Sequence, residues 1–354
     1  MRAGSREDQG RRGEARWADV ETDWRALVAR DDVQLVDICT PGDTHAEIAL
    51  AALAAGKHVL CEKPLANSVA EAEAMAAAAD AAAARGVRSM VAFNYRRVPA
   101  LALARALVAD GRLGEVRHVR AVYLQDWLSD ATAPMTWRLR RDKAGSGSLG
   151  DLGAHIVDAA QWVAGQTVTG VSALTETFVR TRPSGTGTDE VTVDDAALFL
   201  ARFSGGAVGT FEATRYALGR KNAMRLEVNG SRGSIAFDFE SMNELRFYDG
   251  DDPAPEAGFR RILVTEAEHP YAGAWWPPGH LLGYEHTFTH EAADLLTAIA
   301  DGVDPEPGFA EGLRVQRVLA AVEASAAAAS VWTPVDGAGP AGNGRAEVTG
   351  AAKT

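Results

Sequence analysis

The chain has 354 residues, which at roughly 100 to 200 residues per domain predicts two domains, each long enough to bury its own core. Hydrophobic residues make up 47% and charged residues 24%, ordinary globular usage, and no run approaches the ~20 consecutive apolar residues of a membrane span. A formal net charge of −12 repels a phosphate backbone, so neither a membrane nor nucleic acid is an expected partner.

The N-terminal stretch MRAGSREDQGRRGEARW is charged throughout with no apolar run behind it, unlike a secretory signal. From Thr22 the pattern alternates helix and strand. TDWRALVAR reads as a short helix capped by Thr22 or Asp23, and QLVDICT as a buried strand. The Ala-rich helix AEIALAALAAG, the strand HVLCE, a long helix opened by the Ser68–Glu71 capping box and the strand VRSMVAF follow. Apolar strands separated by helices predict a parallel sheet covered on both faces. Past Asn94 come a helix at 99–109, the strand EVRHVRAVYL, a polar loop and a helix over 150–163. A run of strands with Gly and Asn turns then predicts an antiparallel meander, closed by helices at 286–300 and 311–328. The two cysteines, Cys39 and Cys61, lie in apolar runs and are expected as buried free thiols, which suits a cytoplasmic location.

Chemistry concentrates in few places. Glu62-Lys63-Pro64 stands at the carboxyl end of a strand, where open parallel sheets place their ligands. A lysine there can stabilise charge developing on a substrate oxygen, although spacing alone fits a solvated side chain equally well. Asp151 and His155, four apart on a helix, fit a proton-accepting imidazole with an orienting carboxylate; taken alone they also fit a surface pair. The segment Gly145 to Gly150 matches G-x-G-x-x-G, but no apolar strand leads into it, so it reads as a flexible helix entry rather than a dinucleotide fingerprint. His286, His290 and Glu291 lack a complete ligand pattern, so no metal is expected. Trp127, Trp137, Trp275 and Trp276, all in polar loops, suit either stacking on a sugar ring or a domain interface.

Together VDICTPGDTHAEIA, GKHVLCEKPLA, MVAFNYRR and AGSGSLGDLGAHIVD resemble the glucose–fructose oxidoreductase, inositol dehydrogenase and rhizopine-catabolism (Gfo/Idh/MocA) family, over about residues 20–333. YLQDWLSDATAPMTWRLRRDKAGSGSLGD and EHPYAGAWWPPGHLLGYEH are most similar to its levoglucosan-oxidising, pyranoside-dehydrogenase branch, with inositol-type members next. The resemblance implies Lys63, Asp151 and His155 as catalytic residues, with His155 the proton acceptor. It implies Thr40, Pro41, His45, Glu62, Trp137 and Arg138 beside an NAD or NADP cofactor, and Tyr95, Arg96, Gln125 and Trp127 on the substrate side. A further expectation is a homo-oligomer, dimer or tetramer, acting on a sugar or polyol ring hydroxyl.

The resemblance also exposes a departure: the family's first strand with G-x-G-x-x-G, and its second strand, have no counterpart before QLVDICT. The expected fold class is therefore α/β. An N-terminally truncated Rossmann-type doubly wound sheet spans 15–96, an α+β domain with a mostly antiparallel open-faced sheet spans 97–333, and a disordered tail occupies 334–354. A start assigned too far downstream is favoured over a degenerate relative or a sheet completed by another chain, because the catalytic residues stand in place. The alternative function is a truncated, non-catalytic sugar-binding or interaction protein.

Overall fold

The computed structural model describes residues 19–337. Helix α1 (Trp24–Val28) starts where the Asp23 carboxylate accepts from the Arg25 amide. Strand β1 (Leu35–Ile38), helix α2 (His45–Ala54), strand β2 (His58–Cys61), helix α3 (Val69–Ala83) and strand β3 (Ser89–Val91) complete the first half. The strands form a parallel sheet in the order β1-β2-β3, with Val36 beside Val59 and Cys61 beside Val91. The other edge of β1 pairs with no described strand. Alanines at 49, 52, 72, 76, 79 and 82 are buried, which lets α2 and α3 lie close to the sheet and to each other. Ser68 caps α3 by accepting from the Glu71 amide at 3.2 Å, as the capping box predicts.

The second half begins with α4 (Pro99–Ala109), Pro99 occupying the first turn where its missing N–H is harmless. Then come β4 (Val116–Leu124), α5 (Arg141–Ala144), α6 (Ala154–Ala164), β5 (Val168–Glu176), and a hairpin of β6 (Thr181–Ser184) and β7 (Gly187–Glu190). Strands β8 (Ala196–Phe203), β9 (Val208–Thr214), β10 (Ala223–Gly230), β11 (Gly233–Asp238), β12 (Glu244–Asp249) and β13 (Arg260–Leu263) follow, then α7 (Tyr284–Asp301), α8 (Phe309–Ala327) and β14 (Thr333–Pro334). The large sheet runs β13-β12-β11-β10-β4-β9-β8-β5-β14.

This corrects the expected meander. Strand β4 lies between β10 and β9, antiparallel to the first and parallel to the second. The long excursion from 125 to 167 before the next strand frees β4 from any hairpin partner, and its nine residues pair on both edges. Helices α4 and α6 cover one face; the other is open, so β8 alternates buried and exposed residues along its length. One core runs from the parallel sheet through α8 into the large sheet. Residues 334–337, expected as tail, are placed: Pro334 pairs with Gly170 and Val335 is buried. Residues 338–354 of that tail lie outside the described residues. Among the described residues no helix is long and apolar enough to cross a membrane.

Candidate active site

Glu62, Lys63 and Pro64 leave the carboxyl end of β2 and face the start of α6. Lys63 Nζ donates to the Asp151 carbonyl at 2.8 Å and to Asp151 Oδ1 at 3.3 Å. Asp151 belongs to a single π-helical turn, Leu149–Gly153, rather than to the regular helix expected from Gly150. Such turns recur at functional sites because they displace one residue from the helical register. The entry to this turn is anchored by a buried carboxylate. Asp194 accepts from the Gly147 amide at 2.7 Å, the Ser148 hydroxyl at 2.6 Å and the Leu149 amide at 2.8 Å. A Cβ on Gly147 would stand 1.8 Å from the Asp194 carbonyl oxygen, so only glycine fits. The amides of the G-x-G-x-x-G segment are thus occupied by protein, in agreement with its reading as a helix entry.

On the far side of the carboxylate, Arg215 Nη1 lies 3.6 Å from Asp151 Oδ2. Burial alone raises the Asp151 carboxyl, but the Lys63 ammonium and the Arg215 guanidinium outweigh it and carry the group below the ordinary carboxylate range. His155 is buried; desolvation first, then the charge on Lys63, push its imidazole well below the usual value, so it is neutral at physiological pH. Its ring is held by Tyr95, stacked at 4.3 Å and 17°. Nδ1 is buried without a hydrogen-bond partner among the described residues, which leaves Nε2 as the nitrogen available to the cavity. Stacking therefore orients this ring, and the Asp151 carboxylate expected to orient it makes no hydrogen bond to it among the described residues, acting on it through charge.

Two cavities meet at this wall. A cleft of about 530 Å³ is lined by Thr40, His45, Glu62, Lys63, Trp137, Arg138 and Arg215 among others. A second, of about 350 Å³, is lined by Tyr95, Tyr123, Gln125, His155, Asn222 and Tyr284, with Glu62, Lys63 and Asp151 belonging to both. His45 bridges the Thr40 and Pro64 carbonyls at 2.9 and 3.1 Å and so ties the two loops of the larger cleft together. Pro41 sits in the turn behind, its carbonyl accepting from Thr44 Oγ1. Arg138 lies over the Trp137 ring at 4.4 Å. At the rim, Lys143 pairs with Asp43 at 2.7 Å and Asn67 Nδ2 donates to the Lys143 carbonyl, joining the loop after β1 to α5.

In the smaller cavity Tyr95 and Tyr123 share a hydrogen bond of 2.5 Å. The Tyr123 hydroxyl also donates to Asn222 Oδ1 at 2.6 Å, and Gln125 Nε2 donates to the same oxygen at 2.8 Å. Trp127 Nε1 donates to Gln125 Oε1 at 2.8 Å. Of the substrate-side candidates, Tyr95 and Gln125 line this space and Trp127 backs it. Arg96 does not: it is buried in a bidentate pair with Asp158 at 2.8 and 2.6 Å and faces a separate cavity, because a guanidinium that deep needs a full carboxylate partner.

Asn94, Tyr123, Asn222, Tyr284, Phe288 and Arg215 line the two spaces without having been singled out. Each is a lone residue in a turn, strand or helix, and only tertiary folding brings it there. Cys61 is buried as expected, but Cys39 is exposed at the cleft, since β1 ends one residue earlier. Partial desolvation, then the neighbouring Asp37, push the Cys39 thiol up to about 12. His286 and His290 serve the fold, accepting from the Gly283 amide and from Trp275 Nε1 respectively.

Two family models match the chain: one described as oxidoreductase family, NAD-binding Rossmann fold, over residues 5–93, and the GFO/IDH/MocA C-terminal domain over residues 101–236. Levoglucosan dehydrogenase of Pseudarthrobacter phenanthrenivorans is 41% identical over 329 residues, 89% of this chain and 83% of that protein. An oxidoreductase domain protein from Kribbella flavida has a crystal structure that superposes with a TM-score of 0.91 at 65% identity, covering 94% of this chain and 88% of that one. The structure of levoglucosan dehydrogenase in complex with NADH and levoglucosan superposes with a TM-score of 0.88 at 40% identity, covering 93% and 87%.

Proposed function

The chain belongs to the Gfo/Idh/MocA family of oxidoreductases, and from that premise we propose that it oxidises a ring hydroxyl of a pyranoside sugar or cyclic polyol, with levoglucosan the first substrate to try. It is a dehydrogenase acting on CH–OH with a nicotinamide cofactor, for which we favour NAD over NADP. The observation that carries the reading is the convergence of Lys63 and Asp151, on the wall shared by the two cavities, with His155 in the smaller one.

The residues of the larger cleft fit the nicotinamide half of the dinucleotide. The cleft opens at the carboxyl ends of parallel strands, as such sites do. Asn67 Oδ1 is buried there without a partner among the described residues, and a Cβ on Gly42 would come within 2.4 Å of it, so glycine keeps this wall open. Thr40, His45, Glu62, Trp137 and Arg138 would hold the cofactor, which when bound supplies the hydride acceptor.

The protein's own groups handle the proton. The substrate hydroxyl, lying in the smaller cavity, gives its proton to His155 Nε2, which is neutral and ready to accept it. Lys63, fixed by two bonds to Asp151, turns its remaining N–H toward the same oxygen and stabilises the negative charge that grows there as the proton leaves, before departure of the hydride turns the alkoxide into a carbonyl. Asp151 keeps Lys63 in place, and the Tyr123–Asn222–Gln125 network offers donors and acceptors to neighbouring hydroxyls. Supplying NAD or NADP with levoglucosan, glucose and myo-inositol, and following the reduced nicotinamide by absorbance, tests the reading. Turnover of one sugar or polyol is the expected result. Sugar binding with no nucleotide affinity supports instead a non-catalytic sugar-binding protein.

The open sheet face supports self-association. Leu174 and Leu198 face each other across β5 and β8 at 63% and 45% exposure, and Leu200 is 56% exposed in the next outward position. Apolar side chains side by side on an uncovered sheet suit an isologous contact with a second copy. Light scattering should find a dimer or tetramer that Leu198→Glu with Leu200→Glu dissociates; an oligomer of unchanged mass in the double variant places the contact elsewhere. Two free thiols suit a reducing compartment, the cytoplasm in our reading.

A further inference from the structure

Arg215 is 1% exposed, among the largest side chains wholly inside the protein, and poorly satisfied for a buried guanidinium. Nη2 donates to the Asp194 carbonyl at a long 3.3 Å, Nη1 stands 3.6 Å from Asp151 Oδ2, and Nε has no partner among the described residues. Arg182, equally buried and with an Nε likewise unpartnered among the described residues, differs at its two terminal nitrogens, which donate to the carbonyls of Asp130, Ala133 and Leu128 and to the Tyr216 hydroxyl. A guanidinium buried for the fold alone is surrounded by acceptors in that way. Arg215 instead stands at the lining of the larger cleft with its charge on the catalytic carboxylate, and the Trp127 indole lies against it at 5.5 Å.

We propose that Arg215 is a positioning residue for the dehydrogenase reaction, clamping Asp151 from the side opposite Lys63 and fastening that carboxylate to the substrate wall through Trp127. This inference rests on the function proposed above. Each Asp151 oxygen faces its own cation, Oδ1 toward Lys63 and Oδ2 toward Arg215, so the carboxylate cannot rotate and Lys63 cannot follow it away from the reacting oxygen. From Arg215 the contacts continue through Trp127, Gln125, Asn222, Tyr123 and Tyr95 to the face of His155. The substrate wall is thereby attached at both ends to groups that perform the chemistry. The charged and titratable groups facing Asp151 are Lys63, Arg215 and His155, with the Tyr123 hydroxyl nearby; Glu62 faces Lys63, and Asp195 faces Arg215. Removing Arg215 takes one of two stabilising cations from the carboxylate, which then binds a proton at higher pH.

Arg215→Met and Arg215→Lys in the full chain test the inference. In Arg215→Met, kcat should fall about 10- to 100-fold, the scale of a displaced catalytic group, while KM for the cofactor stays within a few-fold. The acid limb of kcat/KM should move to higher pH, added guanidinium should restore part of the rate, and Arg215→Lys should keep more activity. Equal losses in the two variants with an unmoved acid limb and no rescue would mean that Arg215 only packs, and an unaltered kcat would dismiss it outright. A readout independent of turnover is the NMR titration of 13C-labelled aspartate carboxyls, with Asp151→Asn identifying the resonance. An upward-shifted Asp151 midpoint in Arg215→Met upholds the clamp even if no sugar is turned over, and an identical midpoint overturns it.

Discussion

His155 shows how burial selects a protonation state. Desolvation and the Lys63 charge disfavour the imidazolium, so the free base persists below the usual histidine range. Because the folded value is depressed, the proton-accepting form is lost only as pH falls beneath about 6.5, the ordinary value. The acid limb of kcat/KM for alcohol oxidation, set by His155 together with Asp151, should therefore lie below that value, and a limb at or above neutrality would assign it to other groups. Lys63→Ala and His155→Ala should each lower kcat about 10²-fold or more, the scale of general acid–base and electrostatic groups; near-normal turnover in either removes that residue from the mechanism. Lys63, Asp151 and His155 were legible in the sequence because they sit in motifs at a strand end and a helix start. Arg215, Tyr123 and Asn222 were not, since a lone polar residue at the end of a strand carries no local mark of what it will face. Arg96 misled for the opposite reason: it neighbours Tyr95 in sequence, but the two side chains face different cavities.

At the scale of elements, the turn that carries Asp151 depends on a carboxylate more than forty residues away in the chain. Asp194 gathers two amides and a hydroxyl at the entry to α6, an acceptor serving a concave backbone as bound anions do elsewhere. Asp194→Ala strands these buried donors and should destabilise the protein by about 2–4 kcal/mol, with a parallel fall in kcat as Asp151 moves. Urea melts alongside rates check this, and a loss under about 1 kcal/mol would mean that water replaces the carboxylate at no strain. The helices and strands around this turn were readable from apolar period and caps. The position of β4 in the middle of the sheet was not, because alternation fixes which face a strand buries and says nothing of its neighbours. The π turn was hidden too, since Leu-Gly-Asp-Leu-Gly fits a regular helix equally well.

For the whole molecule, the junction between the halves contains an unusual acid. Glu291 of α7 is buried and its Oε1 lacks a partner among the described residues. Burial foremost, opposed by Arg97 and reinforced by Glu62 and Asp37, pushes its carboxyl up to about 8. With the folded value raised, its contribution to stability is full below the unfolded value of about 4.3 and drains away as pH climbs through about 8. Glu291→Gln, neutral throughout, should leave melting at about pH 4 nearly unchanged and gain on the order of 1–3 kcal/mol over the parent at pH 9; equal melting of the two proteins at both pH values would refute the assignment. The rim pair Lys143–Asp43 acts across the same junction. A solvated ion pair contributes at most about 1 kcal/mol and weakens as salt screens it. If the spent nucleotide leaves through the rim that this pair closes, its off-rate should climb with ionic strength. If that departure limits the cycle, moderate salt would quicken turnover while leaving hydride transfer in a single turnover untouched.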